Sequence, residues 1–241
     1  GGVSTMTWIS HVGITLAVFA LIATLAVRAG FRTEFVDTIV GANAHVTVYE
    51  QGSVTADGAV DRRIADYDAL ARTLGEVPGV IRAAPLVRGQ VMASNRASNT
   101  GVQVYGIAPG DLRTIPRIAN PQEASGDIDR FGEGIAIGSG VARELGAVVG
   151  DRIRIISPDG QKTAFGTSPR VNAYEVTYVF TAGRWDIDRT RVYLPMREAQ
   201  TFFNKDGVAD EIEVMVEDPD RVDTFLPAIR AAAGDGYLVW T

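Results

Sequence analysis

The sequence predicts an α+β chain in which one N-terminal transmembrane helix leads into a large folded polar domain. Trp8 to Val27 (WISHVGITLAVFALIATLAV) is an apolar run with no charged side chain before Arg28. Its length is about that of a helix crossing a hydrocarbon core of roughly 30 Å at about 1.5 Å per residue. Downstream, period-two stretches rich in β-branched residues alternate with stretches whose apolar residues lie three to four apart, punctuated by Gly and Pro.

Ser10, His11, Thr15 and Thr24 interrupt the run, and Gly13 weakens it as a helix. A signal-like segment and a buried core helix are the competing readings. The first wants a basic stretch before the run and a small-residue cleavage site after it, and neither is evident. His11 lies near one end of the span, which fits an interfacial or helix-packing residue better than a ligand. Phe31, Phe35, Val36 and Ile39 keep the helical spacing with Arg28, Arg32, Glu34 and Asp37 between them, so the helix is expected to run on out of the bilayer. Charge does not orient the span. Arg28 and Arg32 favour a cytoplasmic location for their flank, but the other flank, GGVSTMT, has no Lys or Arg to set against them.

After the span about 210 residues remain, enough for one large domain or two small ones. The chain is 46% hydrophobic and 22% charged, as folded globular chains are, which excludes general disorder. A net charge of −6 and a pI near 5.0 leave no basic face for phosphate, so no nucleic acid is expected as a partner. Of the 23 basic residues only Lys162 and Lys205 are lysines, a compositional bias with no mechanism attached. Zero cysteines exclude disulfides, thiolate catalysis and cysteine zinc sites, and leave the compartment open.

His45 to Glu50 alternates like a half-buried strand. Asp66 is placed as the N-cap of a helix carrying Leu70 and Leu74, which breaks at Val77-Pro78-Gly79. Val80 to Ser94, interrupted at Pro85 and Gly89, and Thr100 to Ile107 are strands joined through the polar turn Asn95 to Asn99. From Pro109 to Gly134 the chain is rich in Pro, Gly and Asp, which indicates a linker or an irregular excursion. Gly134 to Gly138 is a short strand, and Ser139 caps a helix that runs through Leu145 and ends at Gly146. Asp151 to Ile156, Ala173 to Thr181 and Arg191 to Leu194 are further strands. Pro195 opens a helix whose apolar face is Met196, Ala199, Phe202 and Phe203. Glu211 to Val216 is a strand, Asp218 precedes a proline that starts a helix lined by Val222, Phe225, Leu226 and Ile229, and Tyr237 to Trp240 follows as a strand. This ending resembles the β-α-β-β start, so two halves of one sheet are expected to enclose an inserted module.

Groups that carry catalysis are sparse. His45 is the only histidine after the span and lies in a predicted strand, so it cannot complete a paired-histidine metal site, and a structural role is the simpler reading. Gly132 to Gly140 (GEGIAIGSG) precedes a helix but lacks both the lysine of a phosphate loop and the spacing of a dinucleotide fingerprint. Asp127, Asp129, Asp186 and Asp188 lack the graded loop of an EF-hand and read as solvated turns. The expected catalytic residues and metal ligands are therefore none. Pro158 to Asn172 (PDGQKTAFGTSPRVN) stands out, because hairpin connections usually take about two to five residues. Phe165 is its one large apolar residue, beside Gly166 and near Pro169, with Lys162 and Arg170 flanking. A rigid apolar tip bracketed by cations suits a protein partner; Phe165 folded back onto its own sheet is the equal alternative.

Taken in order, Gly30-Phe31, Gly41 to Tyr49 (GANAHVTVY), Val104 to Leu112 (VYGIAPGDL), Gly134 to Gly160, Phe165 to Arg170 (FGTSPR) and Val192 to Phe203 resemble the lipoprotein-releasing ABC permeases. These form the LolC/LolE family within the MacB-like class. The likeness runs over nearly the whole chain, and its specificity lies in the order and spacing of motifs that are individually weak.

The resemblance implies a first transmembrane helix followed by a MacB-like periplasmic domain. Residues 1–43 would be the helix and its periplasmic extension, 44–108 and 209–241 the two halves of a porter-like α/β subdomain, and 109–208 an inserted β-rich sabre subdomain with a hook hairpin. It further implies a cytoplasmic N-terminus and three more spans after Thr241, so that the sequence is a fragment. The implied protein is a permease subunit and not an enzyme; it sits in the bacterial inner membrane, extracts lipoproteins and passes them to a periplasmic carrier. No cofactor is implied in this chain, because ATP is bound and hydrolysed by a separate LolD-like subunit. The other implied partners are a second permease subunit, the same or paralogous, a LolA-like carrier, the lipoprotein substrate and membrane lipid. The carrier-binding hook falls on Phe165, Gly166, Pro169, Arg170 and Val171, which favours a LolC-like or fused type. The lipoprotein-facing stretch falls on Ile14, Val18, Leu21, Leu25, Phe31 and Phe35, and Trp8 and Trp240 are read as markers of the two membrane interfaces. A MacB-like or FtsX-like mechanotransmission permease, acting on another substrate or on a cell-wall hydrolase, is the alternative; a membrane-tethered enzyme using His45 or an aspartate pair is the third.

Overall fold

The computed structural model describes residues 2–40, 44–54, 60–163 and 166–241, with side chains described outside 2–6, 29–40, 53–54, 60, 158–159, 161–163 and 166–167. Residues 1–39 and 40–241 are two separate units. The first is one helix, α1 (Gly2–Val40), which contains an apolar window, Thr7–Arg28, long enough to cross a membrane and with no part of it buried. Large apolar side chains such as Trp8, Leu16, Phe19, Leu21 and Leu25 stand exposed around the window, as on a helix that meets lipid on all sides. Its polar residues bond back by one turn. His11 Nδ1 donates to Thr7 O (2.7 Å), Thr15 Oγ1 to His11 O (2.8 Å) and Thr24 Oγ1 to Ala20 O (2.7 Å), so these groups are satisfied inside the helix. As expected, the helix continues beyond Arg28; it reaches Val40, about 18 Å further at 1.5 Å per residue.

The second unit contains strands β1 (Val46–Glu50), β2 (Ser53–Val54), β3 (Val60–Asp61), β4 (Val80–Asn95), β5 (Ser98–Ile107), β6 (Glu123–Gly126), β7 (Ile135–Gly138), β8 (Arg152–Thr163), β9 (Gly166–Thr181), β10 (Arg191–Pro195), β11 (Glu211–Val216) and β12 (Tyr237–Trp240). Between them lie helices α2 (Tyr67–Gly75), α3 (Pro109–Leu112), α4 (Pro116–Ala119), α5 (Ser139–Leu145), α6 (Trp185–Thr190), α7 (Met196–Phe202) and α8 (Val222–Ala233). The main sheet runs β12-β1-β11-β4-β5-β10-β7-β9-β6, and β8 pairs with both β9 and β4. β4, β5, β10, β7, β9 and β8 thereby close into a ring. One apolar core collects a residue from each of its strands (Val91, Val104, Val192, Ile137, Val176 and Ile155) together with Val141 and Leu145 of α5.

Strands from both ends of the chain lie together as an open sheet, β12-β1-β11 beside the first half of β4, with Leu74 of α2 and Ile229 of α8 packed on Val48, Ile212 and Val214. A third core forms on ring residues that alternate with those of the first, such as Tyr105 and Tyr193 beside Val104 and Val192, and there Leu86 and Tyr105 join Leu112, Ile118 and Phe131. The segment Pro109 to Gly134 is therefore no linker. It is an irregular excursion that covers a sheet face and adds β6 beside β9.

β4 is continuous, against the expected breaks at Pro85 and Gly89. Leu86 O accepts from Asp210 N (2.8 Å), so the nitrogen of Pro85, one residue away, faces the opposite edge. There β5 pairs only from Val87 onward, and no donor is needed. At Gly89 the Phe203 ring stands where a Cβ would be. The turn after β4 is shorter than expected, two residues, with Arg96 at φ 51°. Gly138 rather than Ser139 occupies the N-cap of α5, and the Asp188 backbone packs on both Gly138 and Gly140, which gives the glycine-rich stretch a packing role. Gly146 ends α5 at φ 58°, the left-handed stop expected of it. Asp66 precedes α2 without a side-chain cap bond, and Pro195 ends β10 at the N-cap of α7 rather than entering that helix.

His45 lies just before β1 rather than within a strand. Its Nδ1 accepts from Val216 N (3.0 Å), where the β11–β4 register shifts between Met215 and Val216, so the imidazole satisfies a donor at a bulge. Replacing His45 by Ala is expected to cost about 1 kcal/mol, read from denaturant unfolding of the intact protein; unaltered stability would show the bond contributes nothing. Glu211 is buried, which pushes its carboxyl up, while Arg88 pulls it back. A raised folded value means the fold holds this proton more tightly than the unfolded chain does. The contribution is complete below the unfolded value near about 4.3 and is lost as pH rises through the folded one. Wild-type stability should therefore fall relative to Glu211→Gln as pH rises from about 4 toward neutrality, and a constant difference would contradict this.

Candidate functional site

Pro158 to Asn172 is not the loop that the sequence suggests. β8 and β9 pair through it and are joined by residues 164–165 alone. The prolines and glycines that read as a loop are absorbed at one irregularity. The register jumps between Ser157 and Gln161, setting Pro158, Asp159 and Gly160 opposite Pro169 alone, so both donor-less prolines sit where the ladder is already broken. Gly160 is required there, since a Cβ would run into Ser168 O. β8 touches β4 only over Arg154–Ile156. Past that point, among the described residues, β8 and β9 pair only with each other, as a two-stranded arm.

Phe165 falls outside the described residues. Gly166 pairs with Thr163 next to the tip, and Val171 pairs with Ile156 lower down. Pro169 and Val171 are exposed. Arg170 instead turns toward the body of the domain. Its guanidinium donates to Thr201 O, to Phe202 O (3.0 Å) and to Asn204 Oδ1 (2.8 Å), placing a cation on the last carbonyls of α7. The expected hook residues therefore divide: Pro169 and Val171 face solvent, and Arg170 clamps the base of the arm.

Sequence patterns missed a groove of about 600 Å³ at that base, lined by Gln103, Met92, Gly101, Ile156, Pro169 and Thr190. An available signal was Met92, apolar and 49% exposed in a strand whose neighbours Val91 and Ala93 are buried. In α1, Ile14, Val18, Leu21 and Leu25 form one stripe at spacings of four, three and four, and all are exposed. The side chains of Phe31 and Phe35 lie outside the described ones. Trp8 and Trp240 are both exposed.

The aspartates hold turns. Asp127 accepts from Asp129 N (2.8 Å), and Asp129 pairs with Arg113 (3.1 Å). Asp186 pairs with Arg184 (2.7 Å). Asp188 is buried and accepts from Ala182 N (2.7 Å) and Gly183 N (3.2 Å), so it alone of the four departs from the solvated reading, the other three being exposed.

The chain is 28% identical over 233 residues to the lipoprotein-releasing system transmembrane protein LolC of Neisseria meningitidis, covering 96% of this chain and 53% of that protein. It is 29% identical over 246 residues to the LolC protein of Xylella fastidiosa, covering 100% and 57%. It thus spans about half the length of these curated relatives. The crystal structure of the periplasmic region of MacB from Actinobacillus actinomycetemcomitans superposes with a TM-score of 0.52 at 10% identity, covering 86% of this chain and 94% of that one, which shows a shared fold. A model of the MacB-like periplasmic core domain matches residues 7–232, and the chain belongs to that family.

Proposed function

We propose that this chain is the first transmembrane helix and periplasmic domain of a permease subunit in a lipoprotein-releasing ABC transporter. In this reading a separate ATPase subunit supplies the energy, a second permease subunit completes the pore, and the lipoprotein leaves the inner membrane for a soluble periplasmic carrier. The observation that carries the reading is the two-stranded arm: a projecting hairpin is costly to hold in water unless something docks on it, and it occurs in a chain similar over 96 to 100% of its length to LolC proteins. The porter-like part expected at 44–108 and 209–241 would end near Leu86, because β5 and the second half of β4 close the ring with strands of the sabre-like 109–208. The bare stripe Ile14, Val18, Leu21 and Leu25, continued by Phe31 and Phe35, would face acyl chains, with which it needs no polar contact. Phe165 would enter the carrier, supported by Gly166, Pro169 and Val171, while Arg170 sets the arm's base.

Replacing Phe165 and Pro169 together by Ala in the intact permease should abolish co-purification of the carrier while leaving the thermal midpoint within about 2 °C of wild type, since surface substitutions usually cost under about 0.5 kcal/mol. Undiminished capture would refute the hook assignment. Arg170→Ala should weaken capture by loosening the arm, with partial recovery in Arg170→Lys, which restores a cation to the α7 carbonyls but not the fork.

A further inference from the structure

We propose that a line of polar ties from the base of the arm to β11 fixes the arm's direction relative to the open sheet, so that movement of that sheet is delivered to the arm. This inference rests on the permease reading above. The open sheet and the closed ring share one strand, β4. Along one edge of β4, β11 pairs with Val80 to Leu86 and β8 with Met92 to Ser94. On that edge Val87 to Val91 have no strand neighbour among the described residues, and a strand held from one side bends there most easily.

Side chains fill the gap at Arg88. Its backbone N–H donates to Asp210 Oδ2 (2.6 Å), and its carbonyl accepts from Lys205 Nζ (3.0 Å). Lys205 and Asp210 are themselves paired at 2.7 Å. The Arg88 guanidinium spans the sheet in both directions, donating to the Glu211 carboxylate of β11 (3.1 and 3.2 Å) and to the Tyr105 hydroxyl of β5 (2.8 Å). Lys205 and Asp210 lie in the segment that leaves α7, the helix whose last carbonyls accept from Arg170. Arg170, the end of α7, Lys205 with Asp210, Arg88 and Glu211 thus form one contiguous line. Stability alone does not explain it, because the Lys205 and Asp210 side chains keep 24% and 23% of their surface exposed and Arg88 43%, and ion pairs so exposed contribute little. Directional ties at an otherwise pliant junction do.

The test uses the full-length permease with its ATPase, spin-labelled through cysteines introduced at the exposed positions Gln51 and Ser168; this segment contributes no cysteine of its own. In wild type the distance distribution between the labels is expected to be narrow. In Lys205→Met/Asp210→Asn it should at least double in width, carrier capture should stay within twofold, and transfer of lipoprotein to the carrier should fall at least tenfold. Lys205→Met alone, which removes the ammonium that meets Arg88 O and Asp210 Oδ2, replaces the double variant if that fails to fold, with the same directions. An unchanged width, a broadened distribution with normal transfer, or transfer that falls only in step with capture would each overturn the proposal. A wild-type complex that transfers no lipoprotein would overturn the functional reading alone, and the distance measurement would still decide whether the ties hold the arm.

Discussion

Strand β4 is the constraint on which the second unit depends. It pairs with β11 in its first half and with β5 and β8 in its second, so the sheet built from both chain ends and the closed ring share one continuous strand. Everything that lets a long strand change partners midway is visible in its own residues. Pro85 lies where one edge has no neighbour, Gly89 makes room for Phe203, and Arg88 has its backbone groups satisfied by Asp210 and Lys205. Loss of regular pairing on one edge is compensated by charged hydrogen bonds, which are stronger than neutral ones.

The groups that looked reactive in isolation, His45 and the aspartates, are used in turns and at a bulge. The projecting element, by contrast, is fixed at its root by Arg170 and has a groove beside it. A soluble partner and a lipidated substrate are the occupants that such an arm and an all-round apolar helix would serve best in the proposed permease.

Most elements were legible in the sequence because their periodicity was undisturbed. Glu211 to Val216, Tyr237 to Trp240 and the helix continuing past Arg28 appear as read. The arm was hidden because its strands contain Pro158, Gly160 and Pro169, residues that signal a loop unless they fall together at a bulge, and bulges depend on the partner strand. Pro109 to Gly134 could be read as a linker or an irregular excursion because its Pro, Gly and Asp content leaves no long apolar run, yet Leu112, Ile115, Ile118 and Phe131 are all buried. The role of Arg170 could not be read at all, since its acceptors lie more than thirty residues away in sequence.

In the proposed permease the intact protein moves lipoproteins from membrane to carrier. Proteoliposomes holding the full-length permease, its partner subunits and a fluorescent acylated lipoprotein would test it directly, with carrier supplied outside. On addition of ATP, lipoprotein should pass into the soluble fraction bound to the carrier, and omission of either ATP or carrier should leave it in the membrane. ATP hydrolysis that proceeds at full rate with the lipoprotein still in the bilayer would contradict the account.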